Sequence, residues 1–393
     1  MPAFRSSSLR RLGLLAAPAL LFAGAMPARA ADGLDLAFKH VADLSVAAEN
    51  GADRHLRYLH RTDIVLDGDL AKLAGIDNAV FHVDVMHTAG ARPNDSAGTL
   101  EGTDNVEVDR AALRLFEAWA EKSWGSTSLR AGLYDLNSEF YATPSAGLLI
   151  APPFGIGSEM AATGPNGPSI FPSTALALRL RTALPLPGGY AQAVVANARA
   201  QTFGDPGGVD LTFGDGLLAV AEAGGGERLH AEFGGWTYTR PSDALASLDP
   251  SGQPLRSRTH GAYAALEYHV LSGKPRELTT FARFGVAGGG SAPFAHSFQA
   301  GLLLSPALAT RPDSAFSLGL HTARTSAESR SAQRLAGEPA VTAERAIEAT
   351  WSDAVAPFLT LQPDVQWIQR RTEGVGAAPA ILQLTLRFVV SLH

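Results

Sequence analysis

The chain has 393 residues and carries 32 lysines and arginines against 38 aspartates and glutamates, which gives a formal net charge of −6. This balance argues against nucleic acid as a partner, because no basic stripe stands out that could replace counterions on phosphate. The absence of cysteine excludes disulfides, cysteine-based zinc sites and thiol chemistry.

The first thirty residues have the features of an export signal. Arg5, Arg10 and Arg11 precede an apolar run that begins at Leu12, and the Ala-Arg-Ala sequence at 28–30 offers the small residues that a signal peptidase recognises. We expect residues 1–30 to be a cleaved signal peptide, with an uncleaved anchor as the alternative. Beyond residue 30, no apolar run approaches the roughly 18–20 residues of a spanning helix, so a membrane crossing would have to use strands.

The mature chain, residues 31–393, begins with a segment that mixes helix and strand signals. It continues with segments in which apolar and polar or small residues alternate. Residues 37–48 predict either the first strand or a short helix that enters the lumen of the fold. Downstream, Leu176, Leu178 and Leu180 are typical of the pattern, because they alternate with alanine and arginine and thus define two faces of a strand. Alternating segments lie at 83–86, 113–116, 176–181, 266–270 and 316–321, and Gly/Pro turn signals lie at 185–189, 205–208, 224–226, 272–275 and 311–313.

The clearest strand is the last segment. Leucine, phenylalanine and valine occupy every second position from Leu382 to Leu392, and most of the intervening residues, such as Gln383 and Thr385, are polar. The length of this segment fits the about 9–11 residues with which a strand crosses a membrane. We therefore expect one apolar face toward lipid and one polar face toward a lumen.

Two folds could produce this alternation, a soluble β-sandwich and a closed membrane barrel. A sandwich of this length would need several domains, yet no linker or shift of composition divides the chain. The apolar face of the last strand also continues to the C-terminus, as in outer-membrane barrels. At about 20–24 residues per strand and connection, the mature chain predicts an all-β fold, a single closed antiparallel transmembrane β-barrel of about 16 strands with short periplasmic turns and longer extracellular loops.

The segment at 129–140, with the sequence LRAGLYDLNSEF, resembles the signature of the carbohydrate-selective porin family of the OprB type. The resemblance continues in order along nearly all of residues 34–393, and this order carries more weight than any single motif. The other matching segments lie at 70–75, 81–90, 154–155, 168–169, 199–207, 222, 234–238, 261–263, 281–285, 348, 361–368 and 386–388.

The resemblance implies a sixteen-stranded barrel in the bacterial outer membrane that lets monosaccharides and disaccharides diffuse passively into the periplasm. It implies small neutral sugars as permeants, outer-membrane lipid as the surroundings and the barrel-assembly machinery as a partner during biogenesis; a monomer and a homotrimer are both compatible with it. The end of the chain departs from the usual pattern. Barrels of this kind usually end on an aromatic residue, whereas this chain ends Leu392-His393, which weakens the assembly signal without disturbing the strand.

A sugar can permeate a channel whose wall replaces its hydration water, provided that binding at each point stays weak. Arg283 is the strongest candidate for such a wall, because it lies in a matching segment and an arginine that faces lipid would cost about 2–4 kcal/mol at the midplane. The same penalty predicts that further polar side chains point inward, with simple solvation of a wet lumen as the alternative role for each. They are Glu222, Glu348, Arg181, Arg387, Gln362 and Gln366.

Asp135, Asn137 and Glu139 share one parity, so in a continuous strand they would line one face. We interpret them as a sugar-contacting cluster near a constriction lined by arginines and carboxylates. The alternative is a strand end whose carboxylates pair with neighbouring arginines. Three aromatic residues could either stack on sugar rings or belong to the belt at the membrane interface; they are Trp236, Tyr238 and Trp367.

The sequence shows no catalytic constellation. Asp135 and Glu139 resemble a glycosidase pair, but four residues along a strand separate them by about 13 Å. The usual separations of such carboxylates are about 5–5.5 and 6.5–9.5 Å. The histidines lack metal-ligand spacing on a helix, the serines lack a nucleophile elbow, and the glycine runs at 224–226 and 288–290 lack the lysine of a phosphate loop. We therefore expect a channel rather than an enzyme, without metal or cofactor.

Three other functions remain as alternatives. An outer-membrane barrel enzyme of the lipase or deacylase type would lose hydrolysis in a serine or histidine variant that still permits permeation. A less selective general porin would pass small solutes irrespective of their chemistry. A soluble periplasmic or secreted protein that binds polysaccharide would fractionate without detergent.

Overall fold

The structure is a computed structural model that describes residues 32–48, 54–273 and 275–392. The export signal predicted for residues 1–30 and the terminal His393 lie outside the described residues. Within the described part of the chain, strands dominate, and the helices are all too short or too polar to cross a membrane.

Sixteen strands, β1 to β16, form a closed antiparallel barrel. Each strand pairs with its neighbours in the sequence, and β1 closes the ring by pairing with β16, from Phe38↔Leu392 to Ala47↔Gln383. The predicted barrel is confirmed, and closure removes the unpaired strand edges that lipid does not tolerate. The strands are Leu34–Ala47, Arg57–Asp69, Ala79–Gly90, Ala112–Trp124, Thr127–Tyr134, Ala175–Ala183, Tyr190–Asn197, Leu217–Gly225, Leu229–Tyr238, His260–Leu271, Glu277–Gly288, Phe294–Ser305, Ala315–Thr325, Val341–Ala356, Leu359–Thr372 and Ile381–Leu392.

The two ends of the barrel differ in the length of their connections. Short connections such as 125–126, 226–228 and 357–358 lie at the end where the chain enters β1 and leaves β16. Because bacterial barrels have short periplasmic turns, the longer connections at the opposite end are extracellular. The connections hold the helices α1 (Leu70–Ala74), α2 (Pro93–Ala97), α3 (Ser158–Ala161) and α4 (Ala327–Leu335), the 3-10 turns Leu136–Ser138, Pro144–Ala146 and Pro152–Phe154, and the short strands Ser242–Leu248, Pro254–Ser257 and Gly376–Ala377.

Alternation of side chains decides which face of each strand meets lipid. On β16, Leu384 and Leu386 are 39% and 36% exposed on the outside, whereas Gln383 and Thr385 point inward and are 1% and 4% exposed. This arrangement follows from the period of two along a strand. At the other end of the chain, β1 contains nearly all of the segment at 37–48, so the strand alternative for it is correct and the helix alternative is wrong.

The connection between β5 and β6, residues 135–174, folds into the barrel and is here called the inserted segment. Its residues Leu136, Phe140 and Tyr141 belong to a buried apolar cluster with Trp236 and Tyr263 of the wall. The rings of Tyr141 and Tyr263 are stacked, with their centroids 3.9 Å apart. The main core of the protein therefore lies inside the barrel, between the inserted segment and the wall.

Glycines stand on the wall where the inserted segment approaches most closely. At Gly319 on β13, an added Cβ would lie 2.5 Å from Cζ of Phe154. At Gly285 on β11, an added Cβ would overlap the carboxylate of Glu159. The missing side chains allow the segment to lie directly on the sheet, which fixes how much of the lumen it fills.

Candidate functional site

Buried carboxylates of the wall hold the inserted segment against the strands from β8 to β15. Glu222 on β8 accepts the N–H of Tyr141 at 2.8 Å. Glu348 on β14 accepts the N–H of Ile150 and, at 3.0 Å, the N–H of Ala151. These bonds satisfy backbone donors of the segment that have no strand partner.

Arg283 on β11 holds the carbonyls of the same segment. Its guanidinium donates to the carbonyl oxygens of Gly155 at 3.0 Å and Tyr141 at 3.3 Å, and to that of Pro153. It also lies over the ring of Tyr141, 5.2 Å from the centroid, and the residue is only 1% exposed. Arg283 therefore anchors the segment and has the inserted chain, rather than open water, in front of it.

Two glutamines on β15 act in the same way. The amide of Gln362 donates to the carbonyl of Leu148 at 2.6 Å, and that of Gln366 donates to the carbonyl of Thr103, in the connection between β3 and β4, at 2.8 Å. Five of the predicted wall residues thus point inward, as the cost of facing lipid predicts, but the inserted segment or, for Gln366, the connection between β3 and β4 covers them, which corrects the expectation of an open wall at these positions. They are Arg283, Glu222, Glu348, Gln362 and Gln366.

The expectation of a continuous strand through residues 135–139 is wrong. Strand β5 ends at Tyr134, and the next residues form a 3-10 turn whose first N–H groups need a cap. Asp135 supplies the cap, because its carboxylate accepts the N–H of Asn137 at 2.9 Å. The amide of Asn137 donates back into the inserted segment, to the carbonyl of Gly155 at 3.0 Å. Asp135 and Asn137 therefore shape the entry of the chain into the lumen.

Three other predicted residues lie on different parts of the wall. Trp236 belongs to the core beneath the inserted segment and is 4% exposed, so its ring faces neither lumen water nor lipid. Arg181 on β6 donates to the side chain of Gln192 at 2.7 Å. Arg387 on β16 forms an ion pair with Asp43 on β1 at 2.7 Å, across the seam that closes the barrel.

On the opposite wall, from β2 to β6, inward charged side chains pair with one another. We call this set the lumen charge network; its members are Asp67, His82, Glu117, Glu121, Arg130, Glu139 and Arg179. Most of these side chains are between 12% and 18% exposed, Asp67 is 54% exposed and only Arg179 is fully covered, at 1%. The inserted segment touches this wall too, because it contributes Glu139 and its Asp135 N–H donates to Glu117 at 3.0 Å, but most of the network side chains stay partly exposed and meet lumen water.

One end of the network joins two arginines to two glutamates. Arg130 pairs with Glu121 at 2.7 Å, and Arg179 lies 3.0 Å from the same carboxylate. Arg179 also donates to Glu139 at 2.8 Å, and Arg130 lies 3.6 Å from it. Glu139 therefore fits the alternative of a carboxylate that pairs with arginines at a strand end.

The other end of the network is built around His82 on β3. One ring nitrogen lies 2.8 Å from Asp67 and the other lies 3.7 Å from Glu117. The imidazole stacks on Trp119, with centroids 4.9 Å apart, and the guanidinium of Arg130 lies 3.7 Å from the centroid of the same indole. Trp119 thus connects the two ends of the network through ring and cation contacts.

Arg61 on β2 adds a charged group framed by aromatic rings. Its guanidinium lies 2.8 Å from Asp63 and 5.0 and 5.2 Å from the ring centroids of Phe116 and Phe171, and its side chain is 22% exposed. It also lies 3.7 Å from Asp84. Donors, acceptors and apolar ring faces are therefore close together at one accessible point of the lumen.

Sequence analysis missed most of this second wall. A signal for Arg61 existed, because Arg61, Asp63 and Asp67 share one parity on β2. For Glu117 parity was misleading: the register passes from Asp84↔Glu117 to Val85↔Leu115, so the residue between them is a bulge. A bulge shifts the parity of the strand, and it turns Glu117 inward where the preceding alternation would have placed it outward.

At the extracellular end, α4 supports the hairpin formed by residues 242–257. Glu328 accepts the N–H groups of Ala246 at 3.1 Å and Ser247 at 3.0 Å, together with the Ser247 hydroxyl. The side-chain hydrogen bond from Ser247, followed by the two backbone bonds, lowers the pKa of Glu328 below its ordinary value.

Comparisons with known proteins agree with this architecture. The family model of the carbohydrate-selective porins, OprB family, matches residues 53–388. The high-pH structure of Pseudomonas putida OprB is similar with a TM-score of 0.80 at 18% identity, over 92% of this chain and 94% of that chain. The outer membrane channel DcaP of Acinetobacter baumannii gives 0.55 at 12% identity, over 92% and 99% of the two chains. An anion-selective porin from Comamonas acidovorans gives 0.54 at 10% identity, over 91% and 99%. No curated protein sequence matches the chain.

Proposed function

Because this chain belongs to the carbohydrate-selective porin, OprB family, we propose that it is a passive channel for small neutral sugars, monosaccharides and disaccharides. The family and the fold are those of a channel rather than an enzyme, and they imply the bacterial outer membrane. The proposed path runs along the lumen charge network and past Arg61, on the side of the lumen where the charged side chains stay partly exposed.

The observation that carries the proposal is the group around Arg61. A sugar offers hydroxyls on its rim and apolar C–H groups on its ring face, and the neighbours of Arg61 provide hydrogen-bonding charges beside the rings of Phe116 and Phe171. Asp63 and Asp84 balance the arginine in the absence of sugar. A permeant therefore exchanges one set of hydrogen bonds for another, which keeps its binding weak enough for release.

The lumen charge network extends this chemistry along the wall. Arginine and carboxylate side by side satisfy both the donor and the acceptor side of a hydroxyl. Such a wall suits polyols, and its four carboxylates against two arginines and one histidine leave it net negative, which disfavours anions. A channel without selectivity would need no such paired arrangement.

The test is reconstitution of the purified protein into planar bilayers and liposomes. We expect neutral monosaccharides to block the ion current and to enter liposomes faster than disaccharides and faster than charged sugars of the same size. Arg61→Gln should weaken the block about threefold to tenfold while the conductance stays similar, since one hydrogen bond contributes about 0.5–1.5 kcal/mol after competition from water.

Arg258→Gln is the matched control, because Arg258 is an exposed arginine of the extracellular connection after β9. It should leave the sugar block unchanged. Equal permeation of all solutes of one size would instead favour a general porin, and a block that is insensitive to Arg61→Gln would remove Arg61 from the path.

We further propose that residues 1–30 are removed on export. The support is the positive start, the apolar run and the small residues at 28–30. Mass determination of the protein from outer membranes tests this, since a chain that retains residues 1–30 would contradict it.

A further inference from the structure

The outer face of the barrel carries a row of basic side chains at the extracellular ends of β12 to β15. In register, His296 pairs with Arg324, Arg324 with Ala343, and Ala343 with Arg371. These residues lie within three positions of the extracellular ends of their strands. Their parity is that of the outward apolar residues, so the row faces the surroundings of the barrel and not the lumen.

The chemistry of this face changes from charged to apolar toward the middle of the strands. One step below the basic row, Arg345 pairs in register with Thr322 and Gln369, and its Nε donates to the Gln369 side chain at 3.2 Å. The next row consists of three apolar side chains that are 37% to 50% exposed, Leu320, Ile347 and Trp367. The guanidinium of Arg345 lies 5.7 Å from the ring centroid of Trp367.

Together these rows line an open groove of about 1150 Å³. Glu344, at its edge, belongs to the inward face of β14 and accepts the N–H groups of Leu100 and Glu101. Glu373, in the connection after β15, pairs with Arg334 at 2.9 Å. None of the ion pairs found in the described part of the chain includes a guanidinium of the groove, so these positive charges are uncompensated.

An outward surface of this kind is unfavourable against neutral lipid. Guanidiniums desolvated near the membrane interface need anionic partners, and phosphate accepts hydrogen bonds from arginine in the bidentate geometry that the guanidinium offers. Tryptophan favours the interface between headgroups and acyl chains. From the extracellular end inward, the groove therefore offers basic side chains, an interfacial ring and apolar side chains. This order matches the headgroup, the interface and the acyl chains of an anionic lipid.

We propose that this groove binds a lipid of the outer leaflet whose headgroup carries phosphate. Arg324, Arg345 and Arg371 hold the phosphate, and the acyl chains lie along the apolar row below. His296 completes the basic row on the β12 side. This site is on the outside of the barrel and is independent of the sugar path.

The experiment compares retained lipid in the full-length protein and its variants. The protein is extracted from phosphatidylcholine vesicles that contain phosphatidate as a minor component, and bound lipid is measured by native mass spectrometry. We expect the wild type to retain phosphatidate selectively. In the triple variant Arg324→Gln/Arg345→Gln/Arg371→Gln, retention should fall at least about tenfold, because three positive charges near the headgroup are lost.

The matched control is Arg240→Gln/Arg256→Gln/Arg258→Gln, which removes the same charge from the exposed extracellular connection after β9. It should retain phosphatidate like the wild type, and both variants should keep heat-modifiable mobility of a folded barrel and unchanged sugar block. Equal retention in the two triple variants would overturn the proposal. Complete displacement of the lipid by millimolar inorganic phosphate would also overturn it, since it would indicate a site for a free anion without a contribution from the acyl chains.

Discussion

The two halves of the lumen use the same residue types in different ways. From β8 to β15, Glu222 and Glu348 are 4% and 0% exposed and accept backbone N–H groups of the inserted segment. From β2 to β6, the side chains of Glu117 and Glu121 are 12% and 16% exposed and pair with charged neighbours, although Glu117 also accepts the N–H of Asp135 at 3.0 Å. One half of the wall is therefore an anchor, and the other half is available to a permeant.

This difference shows that an inward polar side chain is not by itself a pore residue. A covered carboxylate contributes to stability, because its loss leaves backbone donors without partners. A partly exposed carboxylate contributes to the field and to the hydrogen-bonding surface that a solute meets. Substitutions of the same chemistry in the two halves should thus change different measurements.

The largest effect is expected for Arg283→Ala in the covered half. Three carbonyls of the inserted segment lose the guanidinium donor, although Asn137 still donates to that of Gly155, and a buried group left unpaired costs about 1–3 kcal/mol. We expect unfolding at a clearly lower denaturant concentration, together with a severalfold larger and noisier conductance as the segment loosens. Planar-bilayer recordings and unfolding curves measure the two effects.

Arg258→Ala, in the extracellular connection after β9, serves as the control for this variant and should change neither quantity. A folded Arg283→Ala channel with wild-type conductance and stability, but with weaker sugar block, would reverse the assignment of Arg283 to the anchoring half.

A second comparison uses two arginines of the lumen charge network. The side chain of Arg130 is 13% exposed, whereas that of Arg179 is 1% exposed. Arg130→Ala should weaken the sugar block severalfold and lower stability by less than about 1 kcal/mol, as for other partly solvated pairs. Arg179→Ala should lower stability by about 2–3 kcal/mol, because it removes a covered guanidinium together with its bonds to Glu121, Glu139 and Ser128. Sugar titrations of the current and thermal unfolding of both variants check this, and the opposite ranking would break the distinction.

A smaller effect is expected on ion selectivity. Glu117→Gln keeps an oxygen for the N–H of Asp135 but removes a negative charge beside lumen water, so the permeability ratio of cations to anions should fall about twofold. Glu348→Gln, in the covered half, should leave that ratio nearly unchanged, because inserted chain separates it from the ion path. Reversal potentials in a salt gradient decide the point; equal shifts in the two variants would mean that both halves face water.

The smallest effect concerns the extracellular hairpin. Hydrogen bonds hold the pKa of Glu328 below its ordinary value, which is about 4.3 for glutamate. The ionised carboxylate therefore stabilises the contact fully above that value, and this stabilisation is lost as the pH falls through the lowered pKa.

Hydrogen exchange of the amides at 246–247, corrected for the intrinsic rate, should accordingly show protection at pH 7 that persists at the ordinary glutamate pKa and declines only at lower pH. In Glu328→Gln, protection should be weaker at pH 7 and should not depend on pH in this range. A wild-type profile without any acid-induced loss would contradict the role of this carboxylate.

The sequence alone predicted the barrel, the outward face of β16 and the inward orientation of Arg283, Glu222 and Glu348. It could do so because strand side chains alternate between two faces, which is a local property of the backbone, and because a polar side chain that faces lipid is costly. Parity failed at the bulge of β4, where one additional residue turned Glu117 inward. It also failed after Tyr134, where the strand ends and the inserted segment begins.

Tertiary structure alone decided which inward side chains meet water. The fold of residues 135–174 covers one wall and leaves the other open, and contacts between residues more than a hundred positions apart, such as Arg283 with Pro153, fix that choice. The basic row on the outer face likewise arises from four strands whose register brings His296, Arg324 and Arg371 together. Alternation decides for each strand residue whether its side chain points into or out of the barrel. The solvent exposure of that side chain and its neighbours in space depend on long-range packing, which no local pattern encodes.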